Sequence, residues 1–154
     1  MPDTAISDRI EKSIQLNFPR SRVWRALTSA SEFGTWFGVR LEGEFAPGQP
    51  IYGFMANPGY EHVRFEAIVA DIKPETHFSF RWRPFAIDPK VDYSAEPRTL
   101  VTFALEDRDG GTLLSVVESG FDGIPEARRT LAFEMDSKGW ASQMVRIDKY
   151  LQTN

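Results

Sequence analysis

The chain has 154 residues, a length that suits one domain with a substantial core. Its 18 Lys and Arg are set against 22 Asp and Glu, and the net charge of −4 offers no basic field for a phosphate backbone, so no nucleic-acid partner is expected. The absence of Cys excludes disulfides, thiolate metal sites and cysteine nucleophiles; with no leader-like apolar run at the N-terminus and no stretch of about 18 apolar residues, a cytoplasmic protein without a membrane span is expected.

In chain order, residues 9–17 (RIEKSIQLN) alternate with a period near two through Ile10, Ile14 and Leu16, which predicts a first strand. Pro19 then stands where a helix opens, its missing N–H costing no hydrogen bond, and Val23, Trp24 and Leu27 follow at helical spacing. A second short helix is predicted over SASEFGTWF, with Ser31 as cap, Phe33, Trp36 and Phe37 on one face, and Gly38 at the end; Gly34 is the residue against it.

Over residues 39–120 the pattern changes to strands divided by turn chemistry at Pro47-Gly48, Asn57-Pro58-Gly59, Lys73-Pro74 and Asp109-Gly110-Gly111, a meander of hairpins. The segment HFSFRWR places Phe78, Phe80 and Trp82 on one face and His77, Ser79, Arg81 and Arg83 on the other. By the same alternation Val101, Phe103 and Leu105 share a face, as do Leu114, Val116 and Glu118. Val63, Phe65, Ala67 and Val69 alternate, but Ile72 is out of phase with them, which predicts a bulge in that strand. Residues 84–97 contain three prolines and no periodicity, and read as a long loop over one end of the sheet.

Leu131, Met135, Met144, Ile147 and Leu151 recur at helical intervals over residues 126–151. A helix of that length reaches about 39 Å, against about 26 Å for a strand of eight residues, so it must lie across the sheet. Gly139 falls inside it, where close packing or a bend would account for it. The element order describes an α+β protein.

Four segments carry a family resemblance: PRSRVWRALTSASEFGTWF, PETHFSFRW, GGTLLSVVESGF and SKGWASQMVRIDKYL, the last containing the pair Gly139-Trp140. In their order and spacing the chain resembles the START-like (SRPBCC) superfamily. Within it, the chain is similar to proteins resembling the C-terminal domain of the activator of the heat-shock protein ninety ATPase. The resemblance implies a single START-like domain over residues 1–154 with the helix-grip, birch-pollen-allergen-like fold. That fold is a curved antiparallel sheet of six to seven strands around the C-terminal helix, with two short helices after the first strand and a cavity between sheet and helix. The superfamily spans lipid carriers, pathogenesis-related ligand binders, polyketide cyclases and oxygenase subunits, so the fold does not choose a chemistry.

Catalytic patterns are scarce. His62 and His77 are the only histidines, His77 lies opposite the apolar face, and no GxSxG, Walker or GxGxxG motif occurs. No metal and no cofactor are therefore expected. If a cavity lies under the helix, its walls are Phe65, Phe78, Phe80, Trp82, Val101, Phe103, Leu114 and Val116 from the sheet and Met135, Trp140 and Met144 from the helix; each reads equally as plain core. Glu118 points into the same space, either as the anchor of a polar group or as a buried carboxylate paired for structural reasons, for instance with an Arg. The leading expectation is a non-enzymatic binder of a small apolar or amphipathic molecule. Two others stand beside it: a chaperone-ATPase accessory acting through an exposed patch, and a cyclase-like or hydrolase-like enzyme using Glu118 with an Arg or Tyr of residues 84–97. An open edge strand would also allow a homodimer.

Overall fold

The computed structural model describes residues 8–84, 86, 88 and 90–154. Outside them lie residues 1–7, part of the N-terminal stretch read as leaderless, and Phe85, Ile87 and Pro89 of the predicted loop. Strand β1 (Arg9–Leu16) is followed by helices α1 (Arg20–Thr28) and α2 (Ala30–Phe37). A meander comes next: β2 (Val39–Glu42), β3 (Pro50–Met55), β4 (Arg64–Lys73), β5 (His77–Trp82), β6 (Thr99–Arg108) and β7 (Gly111–Ser119). A single 3-10 turn over Phe121–Gly123 leads into α3 (Glu126–Thr153). The seven strands form one antiparallel sheet in the order β1-β7-β6-β5-β4-β3-β2, so the first strand closes against the last.

The sheet can curve around α3 because β4 carries the predicted bulge. Val69 pairs with Phe80 and Asp71 with Ser79, leaving Ala70 without an opposite number. Beyond that point the alternation inverts, and Ile72 turns towards the core. The inner face is otherwise as read: Phe78, Phe80, Val101, Phe103, Leu114, Val116 and Glu118 are all fully buried.

Helices α1 and α2 meet at Ser29, and this corrects the expected cap. Ser29, not Ser31, precedes the first turn of α2, and its hydroxyl accepts from the Glu32 N–H. One extended residue both ends α1 and starts α2, so the cap has to lie two positions earlier than the apolar pattern suggested. Glu32 then ties three helices together, accepting from Arg22 and Arg25 of α1 and from the Tyr150 hydroxyl of α3.

The sequence pattern also misjudged the first half of α3. Leu131 and Met135, expected to face inward, are 51% and 41% exposed. Before Trp140 only Ala132 of this helix is buried, whereas Trp140, Met144, Ile147 and Leu151 all are. The space beneath the helix is filled by α2. Phe33 stacks on Phe37 at 4.8 Å between centroids and meets the edges of Phe80 and Phe103 at 6.4 and 6.5 Å, and Trp36 is held by a bond from its Nε1 to the Ala26 carbonyl. Among the described residues no helix is long and apolar enough to cross a membrane.

Candidate functional site

Because α2 plugs the middle of the sheet, the open space is displaced to the end covered by the 84–97 loop. There lies a cavity of about 530 Å³. The floor is aromatic: Phe37, Phe65, Trp82 and Trp140. Met135, Asp136, Gly139 and Gln143 of α3 form one side, and Arg64 and Glu66 of β4 face them. The roof is Arg83 with Ala86 and residues 92–94 of the loop, while Met55, Asn57, Tyr60 and Val63 rim the remaining edge.

The loop is latched to α3 by one arginine. Arg128 donates to both carboxylate oxygens of Glu96 at 2.7 to 3.0 Å, donates to the Pro84 carbonyl at 3.0 Å, and lies over the Tyr93 ring. Bidentate guanidinium–carboxylate pairs are strong and directional, and this one is largely shielded from solvent. Arg83 adds bonds to the carbonyls of Ser94 and Glu96.

The floor rests on Glu118. This side chain is fully buried, is not part of the cavity wall, and among the described residues has no arginine partner. It accepts from Trp82 Nε1 and Trp140 Nε1, each at 2.8 Å, and from the Thr99 hydroxyl. One carboxylate thus fixes two indoles, one from the sheet and one from the helix, which meet at 5.7 Å between centroids. A buried carboxylate is tolerable when several donors satisfy it, and here they come from three elements.

Asp136, one turn before Trp140 on the same helix face, is the polar group that does line the cavity. Burial pushes its carboxyl well above the ordinary aspartate range, the charge of Glu118 and a hydrogen bond shared with Glu118 push it further, and Arg128 opposes them. Its Oδ2 is sealed and receives no hydrogen bond from a described donor. The neutral, protonated form of Asp136 is thereby favoured beyond the pH range in which an aspartate ordinarily loses its proton.

Of the residues named from sequence, Phe65, Trp82, Met135 and Trp140 lie in the cavity wall. Phe78, Phe80, Val101, Phe103, Leu114, Val116 and Met144 are packed in the adjoining core, and Glu118 sits behind the floor. Asp136 was not among those residues, although the signal was present. The inward stripe of α3 runs Ala132, Trp140, Met144, Ile147 and Leu151, and position 136 falls on it. His77 contacts the exposed Asp71, as suits a strand edge, and among the described residues no three His, Asp or Glu side chains converge on a possible metal site.

A curved antiparallel sheet closed on a long C-terminal helix, with a cavity at one end, defines a helix-grip protein of the SRPBCC class. Within that class, the sequence profile of the activator of Hsp90 ATPase homolog 1-like proteins matches residues 17–152, and the chain belongs to that family. A crystal structure of a Mesorhizobium loti protein is similar to it at TM-score 0.74 and 23% identity, over 95% of this chain and 98% of that one. A Nitrosomonas europaea protein gives 0.73 and 19%, over 97% and 99%. The solution structure of the Aha1 dimer from Colwellia psychrerythraea gives 0.66 and 16%, over 91% and 92%. At these identities the likeness is one of fold. No curated protein matches the chain.

Proposed function

We propose that the protein binds a small apolar or amphipathic molecule in the cavity beneath the 84–97 loop. The observation that carries this reading is the cavity itself. Its volume of about 530 Å³ falls in the range of about 300 to 1,000 Å³ usual for small-molecule sites, and it joins an aromatic floor to a few polar groups at its sides. Three of its four floor rings are at most 4% exposed, and the fourth, Trp82, is held with Trp140 by the same buried carboxylate, so the site is organised before a ligand arrives.

The experiment is native mass spectrometry of the protein purified from its own host, followed by titration of the recovered compound against tryptophan fluorescence. A ligand in the cavity changes the emission of Trp82 and Trp140, and Gly139→Phe, which fills the cavity from α3, abolishes that change. No co-purifying compound, together with no response to a library of apolar small molecules, would overturn the reading.

The family name and the Colwellia Aha1 dimer support a second reading, an accessory to a chaperone ATPase, with the exposed Leu131 and Met135 of α3 as a contact surface. Its test is ATP turnover by the host's chaperone with and without the protein, and an unchanged rate would remove it.

A further inference from the structure

We infer that Asp136 is the polar anchor of the cavity and that it takes the ammonium head of a small amine, whose apolar body lies on the floor of Trp82, Trp140, Phe37 and Phe65. This rests on the cavity being a ligand site, and it specifies the chemistry of what enters.

The first support is the inventory of unmet hydrogen-bonding groups. Besides Arg22 Nη1, which is ion-paired with Glu32, the atoms Arg98 Nε, Asp136 Oδ2 and Gln143 Oε1 are sealed from solvent without a hydrogen-bond partner among the described residues. The two on residues of the cavity wall are both oxygens on one face of α3. Gln143 uses its amide N–H on the Phe37 carbonyl, which leaves its oxygen as acceptor. Both residues line the cavity, and a ligand that donates hydrogen bonds there is the partner these acceptors lack.

The second support is charge. The cationic groups of the wall are already engaged: Arg83 donates to two loop carbonyls and lies 4.0 Å from Glu66, and Arg64 stacks on the Tyr52 ring at 4.5 Å. Asp92 adds a further negative charge to the roof, and Glu118 lies directly behind Asp136. Arg128 on the same helix is the cation that acts on Asp136, and its guanidinium is committed to Glu96 and Pro84. A ligand carboxylate at the floor would therefore face the Asp136 carboxyl with Glu118 behind it, whereas an ammonium would take the place of the Asp136 proton. Indole faces beside the site favour a cation as well.

The exchange balances simply. Where the free site holds Asp136 as the neutral acid, the ammonium enters, the Asp136 proton leaves to solvent, and the complex holds an ammonium–carboxylate pair at Asp136. One proton is released for each amine bound when Asp136 begins protonated.

Isothermal titration calorimetry with phenethylamine, phenethyl alcohol and phenylacetate tests this on the intact chain. The amine binds about tenfold or more tightly than the alcohol, the margin expected of a hydrogen bond to a charged partner, and phenylacetate is weakest. Repeating the amine titration in two buffers of different ionisation heat reports protons released, and affinity rises with pH as Asp136 gives up its proton. Asp136→Asn, which keeps the shape and can donate to Glu118 through its amide, loses the amine preference and the proton release but still binds the alcohol. Preference for phenylacetate, equal binding of amine and alcohol, or no proton release from the wild type overturns the anchor while leaving the cavity reading intact. Failure of all three probes to bind overturns both.

Discussion

A carboxylate buried at zero exposure would ordinarily be expected to sit beside an arginine, yet Glu118 is held by two indole N–H groups and a hydroxyl. The distinction matters for what a substitution does. Glutamine at 118 offers one acceptor oxygen in place of two and turns an amide N–H towards groups that are themselves donors. Glu118→Gln should therefore cost about 2 to 4 kcal/mol, read in chemical denaturation, and should loosen Trp82 and Trp140 enough to shift their fluorescence. The neighbouring Asp136 gives a signature of opposite kind. Its folded-state pKa is raised above the unfolded value, so its stabilising contribution is fully present below that unfolded value, near pH 4, and is lost as pH rises through the folded pKa. Asp136→Asn, which cannot titrate, should gain stability relative to the wild type as pH rises from 4 to 7; a constant difference across that range would contradict the raised pKa of Asp136.

Two glycines lie inside helices, and the elements around them give them opposite meanings. In α2, a Cβ on Gly34 would stand 2.4 Å from the Val39 carbonyl oxygen, because β2 leaves Gly38 and passes directly over the helix. In α3, a Cβ on Gly139 would meet nothing within 4 Å, since that side of the helix borders the cavity. Gly34→Ala should destabilise by about 1 to 3 kcal/mol through overpacking against backbone, whereas Gly139→Ala should stabilise by up to about 1 kcal/mol through helix propensity alone. Denaturation midpoints of the two variants, measured side by side, check both. Of the two accounts expected for Gly139, close packing or a bend, the close packing is found at Gly34 instead, and Gly139 borders the cavity.

Across the whole molecule the cavity depends on a long-range latch. Arg128 is what ties the loop to α3, reaching from the helix to Glu96 and Pro84. Arg128→Gln removes the bidentate pair, and the loop should open locally, with amide exchange over residues 92–97 accelerating about tenfold or more while the sheet stays protected. A uniform loss of protection would show instead that the latch supports the global fold. Much of the architecture was readable from sequence, for local reasons. Alternation of Phe78, Phe80 and Trp82, the phase change at Ile72, and the Gly-rich turns are each fixed within a few residues, and they named the strands, the bulge and the hairpins. Family resemblance placed these elements in a helix-grip fold. The position of the cavity was decided only in three dimensions, because it depends on volume: the rings of Phe33, Trp36 and Phe37 fill the centre of the sheet, and the void is what remains under the loop. The pairing of Glu118 with Trp82, Trp140 and Asp136 was likewise invisible in the sequence, since it joins residues up to 58 positions apart through a sheet and a helix, and neither pattern alone specifies the contact.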